Sequence, residues 1–274
     1  IEDLLRWESD VDAGDLYTSS PRGPKLVPVF EGCRTIHRGP VRAAIEARWS
    51  FRLGRNRLHV RVRLVVDADA PWLRVSVEGE NAATDHRLRL RLCTDVAEPL
   101  VVADAMFGPV ERHALDIPEA DRQRERPPHT APLHRYVSVF GITSGATLFS
   151  DGLAEYEADR QGGVCVTLLR AVGELSRSDL PERPGHAGWP VSTPEAQCSG
   201  PFAAELALLL HGERTPATVD AIERAADDVL LPLCGGTLRS ALRHPAAATG
   251  VELHGSGLAF STAKRSEDDQ WLVL

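Results

Sequence analysis

The sequence predicts an all-β protein, a sandwich of antiparallel strands, and three observations carry that expectation. From residue 57 to 66, Leu58, Val60, Val62 and Leu64 alternate with Arg57, His59, Arg61 and Arg63, the period-two pattern of a half-buried strand. The alternation returns at Leu73, Val75 and Val77, and again at Leu88, Leu90 and Leu92 against Arg87, Arg89 and Arg91. No strong helical repeat interrupts these segments before residue 214, which implies one continuous all-β region.

Pro40 to Arg52, carrying Ala44, Trp49 and Phe51 among charges, reads as a strand that pairs with the next through the turn at Gly54-Arg-Asn56. Further strands are expected at Arg135–Phe140, Ala146–Phe149, Val164–Leu169 and Phe202–Leu210. Asp116 to Pro132, with Pro118, Pro127, Pro128 and Pro132, lacks periodicity, as does Arg177 to Gly200, so both are expected as exposed excursions of functional or interfacial use. Thr215 and Pro216 supply an N-cap and a proline at the first helical position, after which Val219, Ile222, Ala226 and Val229 recur at helical spacing. Extended segments at Val251–Leu253 and Leu258–Ser261 follow the pair Gly235-Gly236. The expected organisation is a large sandwich over 1–214, a helical linker over 215–232 and a small β-unit over 233–274.

Composition narrows the function. The 274 residues carry a formal charge of −8, and a nucleic-acid partner, which needs clustered excess cation, is not expected. Lysine occurs only at Lys25 and Lys264 while arginine is abundant, a pattern of high-GC bacterial coding more than of function. No run approaches the roughly 20 apolar residues that span a bilayer, so no membrane partner is expected either. The opening Ile1-Glu-Asp-Leu-Leu-Arg6 is unlike a secretory leader and reads as a cut from something longer. Cys33, Cys93, Cys165, Cys198 and Cys234 form no CxxC pair; buried free thiols and a cytoplasmic location are the expectation.

No catalytic or metal-ligating residue is assigned. The ten histidines include no HxxxH pair, and His129 and His134, the nearest two on the proline-rich stretch, read as loop residues. His86 is expected to close a strand-entry turn. A glycosidase needs one protonated and one ionised carboxyl across the sugar bond; Glu155 with Glu157, or Asp12 with Asp15, could be placed in that role, but acids beside turns are more often solvated or bonded to backbone. There is no GxSxG elbow, and neither Gly162-Gly163 nor Gly235-Gly236 has the context of a nucleotide loop.

Six collinear segments carry a resemblance: Asp12-Ala-Gly-Asp-Leu-Tyr17; Asn81 with Asp85-His-Arg-Leu-Arg89; Asp151-Gly-Leu-Ala-Glu-Tyr-Glu157; Leu168-Leu-Arg-Ala-Val-Gly173 with Leu175-Ser-Arg177; Thr193 to Gly200; and Gly257 to Lys264 with Glu267-Asp268. Together they resemble the C-terminal β-domain region of family 38 glycoside hydrolases, the α-mannosidases. The resemblance implies a galactose-mutarotase-like super-sandwich of antiparallel strands with the start of a smaller C-terminal β-domain. It further implies a zinc-dependent retaining α-mannosidase as the intact enzyme. Zinc, nucleophile and acid would lie in an N-terminal barrel, so no cofactor is expected here and this chain alone is expected to be inactive. Its implied partners are that catalytic domain and the α-mannoside, with a homo-oligomer left open. Tyr17 is the one residue carried over as substrate-binding, though Gly14-Asp-Leu-Tyr17 is one residue longer than the family's Gly-x-Tyr. Asp15 and Arg22 are weaker candidates, and Arg170 and Arg177, with Asp179, are expected as anchors toward the barrel.

Two other readings stand beside this one. A stand-alone carbohydrate-binding sandwich would use Trp49, Trp72 or Trp189 as a stacking platform. A mutarotase-like epimerase would need a general acid and base, for which His134, His186, Glu155 and Glu157 supply the residue types.

Overall fold

A computed structural model of the chain describes residues 4–94, 96–113, 117–122, 124–232, 252, 254–255 and 262–273. The first strands are β1 (Leu5–Asp12), β2 (Pro21–Arg22), β3 (Val29–Arg38), β4 (Arg42–Leu53), β5 (Asn56–Asp67), β6 (Trp72–Asn81) and β7 (His86–Cys93). They are followed by β8 (Leu100–Ala103), β9 (Val110–Arg112), the short helix α1 (Glu119–Arg122), β10 (Thr130–Pro132), β11 (Tyr136–Phe140), β12 (Ser144–Asp151), β13 (Glu155–Ala158) and β14 (Gly163–Ala171). Next come the two-residue strands β15 (Asp179–Leu180) and β16 (Arg183–Pro184), then β17 (Gly200–Gly212), α2 (Pro216–Leu230), β18 (Lys264–Arg265) and β19 (Leu272–Val273).

The chain divides into two compact units, residues 1–213 and 214–274. In the first, a six-stranded sheet (β10-β13-β14-β7-β1-β2) and a nine-stranded sheet (β3-β4-β5-β6-β17-β12-β11-β8-β9) are antiparallel throughout. Between them lies one core, with Leu88, Leu90, Leu92, Val164 and Val166 from the smaller sheet and Phe51, Leu58, Val60, Val62, Val75, Val77 and Val137 from the larger. Those residues are the apolar halves of the alternating segments, so the sequence pattern maps directly onto the inner faces. In the second unit, α2 begins as its sequence dictates: Thr215 is extended, its side chain accepts from the Thr218 amide, and Pro216 takes the first turn. The expected extended segments at Val251–Leu253 and Leu258–Ser261 lie outside the described residues apart from Glu252.

Two long strands have no counterpart in the sequence reading. β1 is acidic on its outer face, with Glu8, Asp10 and Asp12, and β3 is exposed along most of its length, so neither shows a clean apolar alternation. The proline-rich excursion also holds more structure than expected, for Thr130–Pro132 pairs with β13 and closes the edge of the six-stranded sheet.

The charged half of β7 departs furthest from a solvated face. Arg87 and Arg89 are only 5% and 6% exposed, because the register sets Glu8 opposite Arg89 and Asp10 opposite Arg87. Arg89 binds Glu8 at 2.7 Å and also Glu157 on β13; Arg91 binds Asp159 and approaches Glu8 at 3.6 Å; Lys25 adds a contact to Glu8 at 3.0 Å. The outer surface of this sheet is thus a layer of interleaved cations and carboxylates in which each side chain shields its neighbour. Burial pushes the Glu8 and Asp159 carboxyls upward, but Lys25 and Arg89 around Glu8, and Arg91 with the Gly163 amide at Asp159, outweigh it and hold both below the usual carboxylate range.

Because the folded-state pKa values of these carboxyls lie below their unfolded ones, their stabilisation is fully present above about pH 4 and is lost as pH falls through the lower folded values. Urea-unfolding midpoints should therefore be flat from neutrality to about pH 5 and drop steeply below about pH 4; a midpoint that rises on acidification would contradict the ion layer.

Candidate functional site

Two carboxylates shape the loop between β1 and β2. Asp12, at the end of β1, is 1% exposed; its Oδ1 accepts from the Gly14 and Ser20 amides at 2.9 and 2.8 Å, and its Oδ2 accepts from the Ser19 hydroxyl and from Arg170 Nε. Gly14 is required by the closeness of this wrap, since a Cβ there would lie 2.1 Å from the Thr18 carbonyl oxygen. Asp15 is fully buried. Its Oδ1 accepts from the Tyr17 and Thr18 amides at 2.9 and 2.8 Å, and its Oδ2 from the Arg177 amide at 2.7 Å and from Arg183 Nη2 at 2.6 Å.

Arg183 joins this loop to the later excursion. Besides Asp15 it donates to the Thr18 hydroxyl and to the carbonyls of Arg177 and Gly185, and it is 8% exposed. Ser176 completes the excursion by accepting from the Ala187 and Gly188 amides at 2.9 and 3.1 Å. For Asp15, burial raises the carboxyl while Arg183 and the Arg177 and Thr18 amides lower it further, so the net position is below the usual range; Asp12 is likewise raised by burial and lowered more by Arg170 and the Ser20 and Gly14 amides.

The result is a hydrogen-bonded support beneath two exposed aromatic residues. Tyr17 is 56% exposed and Trp189 80% exposed. The Tyr17 ring lies against Gly188, where an added Cβ would stand 2.8 Å from the phenolic oxygen, so glycine beside Trp189 makes room for the tyrosine. A phenol held this way can donate to a sugar hydroxyl while its ring faces a pyranose.

Several expected residues are engaged elsewhere. Asp15 has its carboxylate saturated by internal donors, and Arg22 is held by Glu182 at 2.9 Å, so neither is free for a ligand. Arg170 is no outward anchor: it donates to Asp12 and to the Asp15 and Thr18 carbonyls. Arg177 forms a two-bond pair with Asp179 at the surface. As an acid and base across a sugar bond, Asp12 and Asp15 fail because both are held ionised; Glu155 accepts from the Thr167 hydroxyl at 2.7 Å and Glu157 is bound by Arg89.

Of the epimerase candidates, His134 is paired with Asp104 at 2.7 Å and His186 lies exposed in the later excursion. His86 is buried against Asn81 at 2.8 Å, and burial lowers its pKa. Among the described residues no three or more His, Cys, Asp or Glu side chains are grouped to hold a metal. Trp49 packs against Trp7 and Phe30, and Trp72 lies under the Arg74 guanidinium, leaving Trp189 as the open indole of the three. The thiols correct the composition reading: Cys165 is buried, its pKa pushed up to about 12 by burial, but Cys33 and Cys198 are exposed in turn-rich or edge positions; Cys234 lies outside the described residues. The sequence names Asp15 only as a weaker binding candidate or a turn acid and does not single out Arg183 or Ser176 as supports, because Asp15 and Arg183 stand 168 positions apart and are brought together only by the fold.

Replacing Asp15 by Asn should destabilise the chain by about 3 kcal/mol, since Arg183 is left buried without its anion. Asp15→Asn combined with Arg183→Met should cost clearly less than the sum of the single changes; strict additivity in urea unfolding would show that the two side chains do not act as a pair.

The comparisons with known proteins agree with this architecture. The model of the glycosyl hydrolases family 38 C-terminal domain matches residues 7–175. A protein of Halalkalibacterium halodurans, provisionally named a mannosylglycerate hydrolase, is 32% identical over 221 residues, covering 80% of this chain and 23% of that protein. Two crystal structures from Enterococcus faecalis share the fold: a family 38 glycosyl hydrolase, with TM-score 0.72 and 20% identity over 98% of this chain and 33% of that one, and an α-mannosidase, with TM-score 0.66 and 21% identity over 83% and 27%. The chain therefore spans a quarter to a third of the length of these relatives. With the family model covering most of the sandwich, the chain belongs to glycosyl hydrolase family 38 and carries its C-terminal domain.

Proposed function

We propose that this chain is the non-catalytic β-sandwich portion of a zinc-dependent retaining α-mannosidase, supporting and lining an active site carried by an N-terminal catalytic domain. The observation that carries the reading is the pairing of family membership with an exposed Tyr17 held on a fully hydrogen-bonded, buried support. Zinc does not fit the described residues of this chain, where no ligand group converges, so no step is routed through it here. The share of each relative that this chain spans leaves room for a catalytic domain elsewhere in the polypeptide. Substrate specificity for α-mannosides and a cytoplasmic location belong to the same reading.

In this role the chain's own residues bind and orient. Tyr17 donates its phenolic hydrogen to a hydroxyl of the bound mannoside and lays its ring against the sugar. Asp15 and Arg183 fix the loop, so little conformational entropy is lost when the contact forms. A second reading, sugar binding by the isolated sandwich, is favoured by Trp189, which stands 80% exposed next to the Tyr17 loop and offers a flat face for a pyranose.

In the full-length enzyme, Tyr17→Phe should lower kcat/KM on an aryl α-mannoside by about tenfold, the value of one hydrogen bond at a desolvated site, without lowering the melting temperature. The 274-residue chain alone should not hydrolyse that substrate with zinc or cobalt added; hydrolysis by the purified chain, or an unchanged kcat/KM in Tyr17→Phe, overturns the proposal. Calorimetry of the isolated chain with mannose and mannobiose separates the readings: heat that disappears in Trp189→Ala identifies an autonomous binding module.

A further inference from the structure

The outer face of the nine-stranded sheet is divided by charge. Cross-strand partners share a face, so the register sets Arg34, Glu46, Arg63, Ser76, Glu205 and Asp151 in one row across β3, β4, β5, β6, β17 and β12. A second row runs Arg48, Arg61, Glu78 and Ala203, a third runs His59, Glu80 and Pro201, and the facing pair Arg52 and Arg57 extends the cationic end. Cations gather on β3 to β5 and carboxylates on β6, β17 and β12. The exceptions are Glu31, 3.5 Å from His59, and Arg74, 4.0 Å from Asp67.

Pairing within the face leaves a surplus at each end. Glu46, 1% exposed, is sealed beneath Arg34 at 3.1 Å and Arg48 at 2.9 Å, with Arg63 and Arg61 at 3.8 and 3.9 Å, and Arg61 also binds Glu78. Arg34, Arg48 and Arg63 therefore share one carboxylate and have no other ion-pair partner among the described residues. Their side chains are still 64, 52 and 43% exposed. In the acidic half Glu80 and Asp151 make no ion pair among the described residues, and Glu205 accepts from the Ser76 hydroxyl at 2.7 Å.

A face that is cationic at one end and anionic at the other is complementary to itself. A two-fold axis lying in the face, along the strands between β5 and β6, sets the basic half of each copy on the acidic half of the other. The face is also large enough. Its five strands β3, β4, β5, β6 and β17, about 4.8 Å apart and about ten residues long at about 3.3 Å each, present roughly 800 Å², the share of one partner in a standard interface.

We propose that the outer face of β3, β4, β5, β6 and β17 binds a second copy of this chain in a two-fold dimer held in register by charge. The contact lies on the other sheet from the strands that carry the Tyr17 loop, and it is independent of the function proposed above.

The test is sedimentation of the 274-residue chain over a micromolar concentration series at low and high sodium chloride. A monomer–dimer equilibrium is expected that weakens as salt screens the charges. Arg52→Glu with Arg57→Glu turns the basic half toward acid without touching the arginines over Glu46, and Glu80→Arg with Glu205→Arg turns the acidic half toward base. Each double variant should melt as the parent does and associate about tenfold more weakly. An equimolar mixture of the two should recover dimers, because each altered face then meets its opposite. A parent chain that stays monomeric at low salt, a dimer indifferent to salt or to both pairs of reversals, or a mixture no more associated than its components overturns the proposal.

Discussion

Every carboxylate that the first strand and its following loop carry into the interior has to meet a cation or an array of amides, because an unpaired buried charge costs several kcal/mol. Glu8 meets Arg89 and Lys25, Asp12 meets Arg170 with two amides, and Asp15 meets Arg183 with three. Each requirement recruits a different part of the chain: Glu8 fixes β1 against β7, Asp12 ties the loop to β14, and Asp15 reaches the excursion after residue 177. The edge of the six-stranded sheet and the two loops beyond it are consequently one charge-compensated body.

That arrangement divides the labour between the sheet faces. The inner faces contribute apolar burial that is non-directional and tolerant of detail, while the outer face of the smaller sheet is directional, with each guanidinium fixing where a carboxylate must lie. A directional layer is what a presented side chain needs. Tyr17 projects from a loop whose two buried carboxylates are satisfied by protein donors, so its ring position is inherited from Asp15, Arg183 and the space left at Gly188. The same economy is absent at the opposite side of the sandwich, where Tyr156 and Arg112 have donors without protein acceptors.

Much of the architecture could be read in advance, and the particular failures have physical causes. β4, β5, β6, β7, β11, β12, β14 and β17 all correspond to apolar alternation or short apolar runs, since a strand with one face on a core must show that period. β1 and β3 escaped because their outer residues are acids or their faces are both exposed, leaving pairing with neighbours as the only thing that makes them strands. Arg87, Arg89 and Arg91 look like a solvated stripe for the same reason: their burial depends on carboxylates more than 60 positions away in either direction. Tyr17 could be singled out from its segment, whereas the Asp15–Arg183 support beneath it could not, as nothing local distinguishes Arg183 from other arginines in the chain.

The amino-acid order by itself determined the all-β class, the inner-face residues, the capped helix after Thr215 and the family likeness, because each is written in local period, local hydrogen bonding or collinear motif. Tertiary structure alone decided which charges are buried in pairs, which of Trp49, Trp72 and Trp189 remains open, and where donors are left without acceptors. Those properties belong to contacts between segments distant along the chain, and the free energy of a buried charge is set by what the fold places beside it rather than by its sequence neighbours.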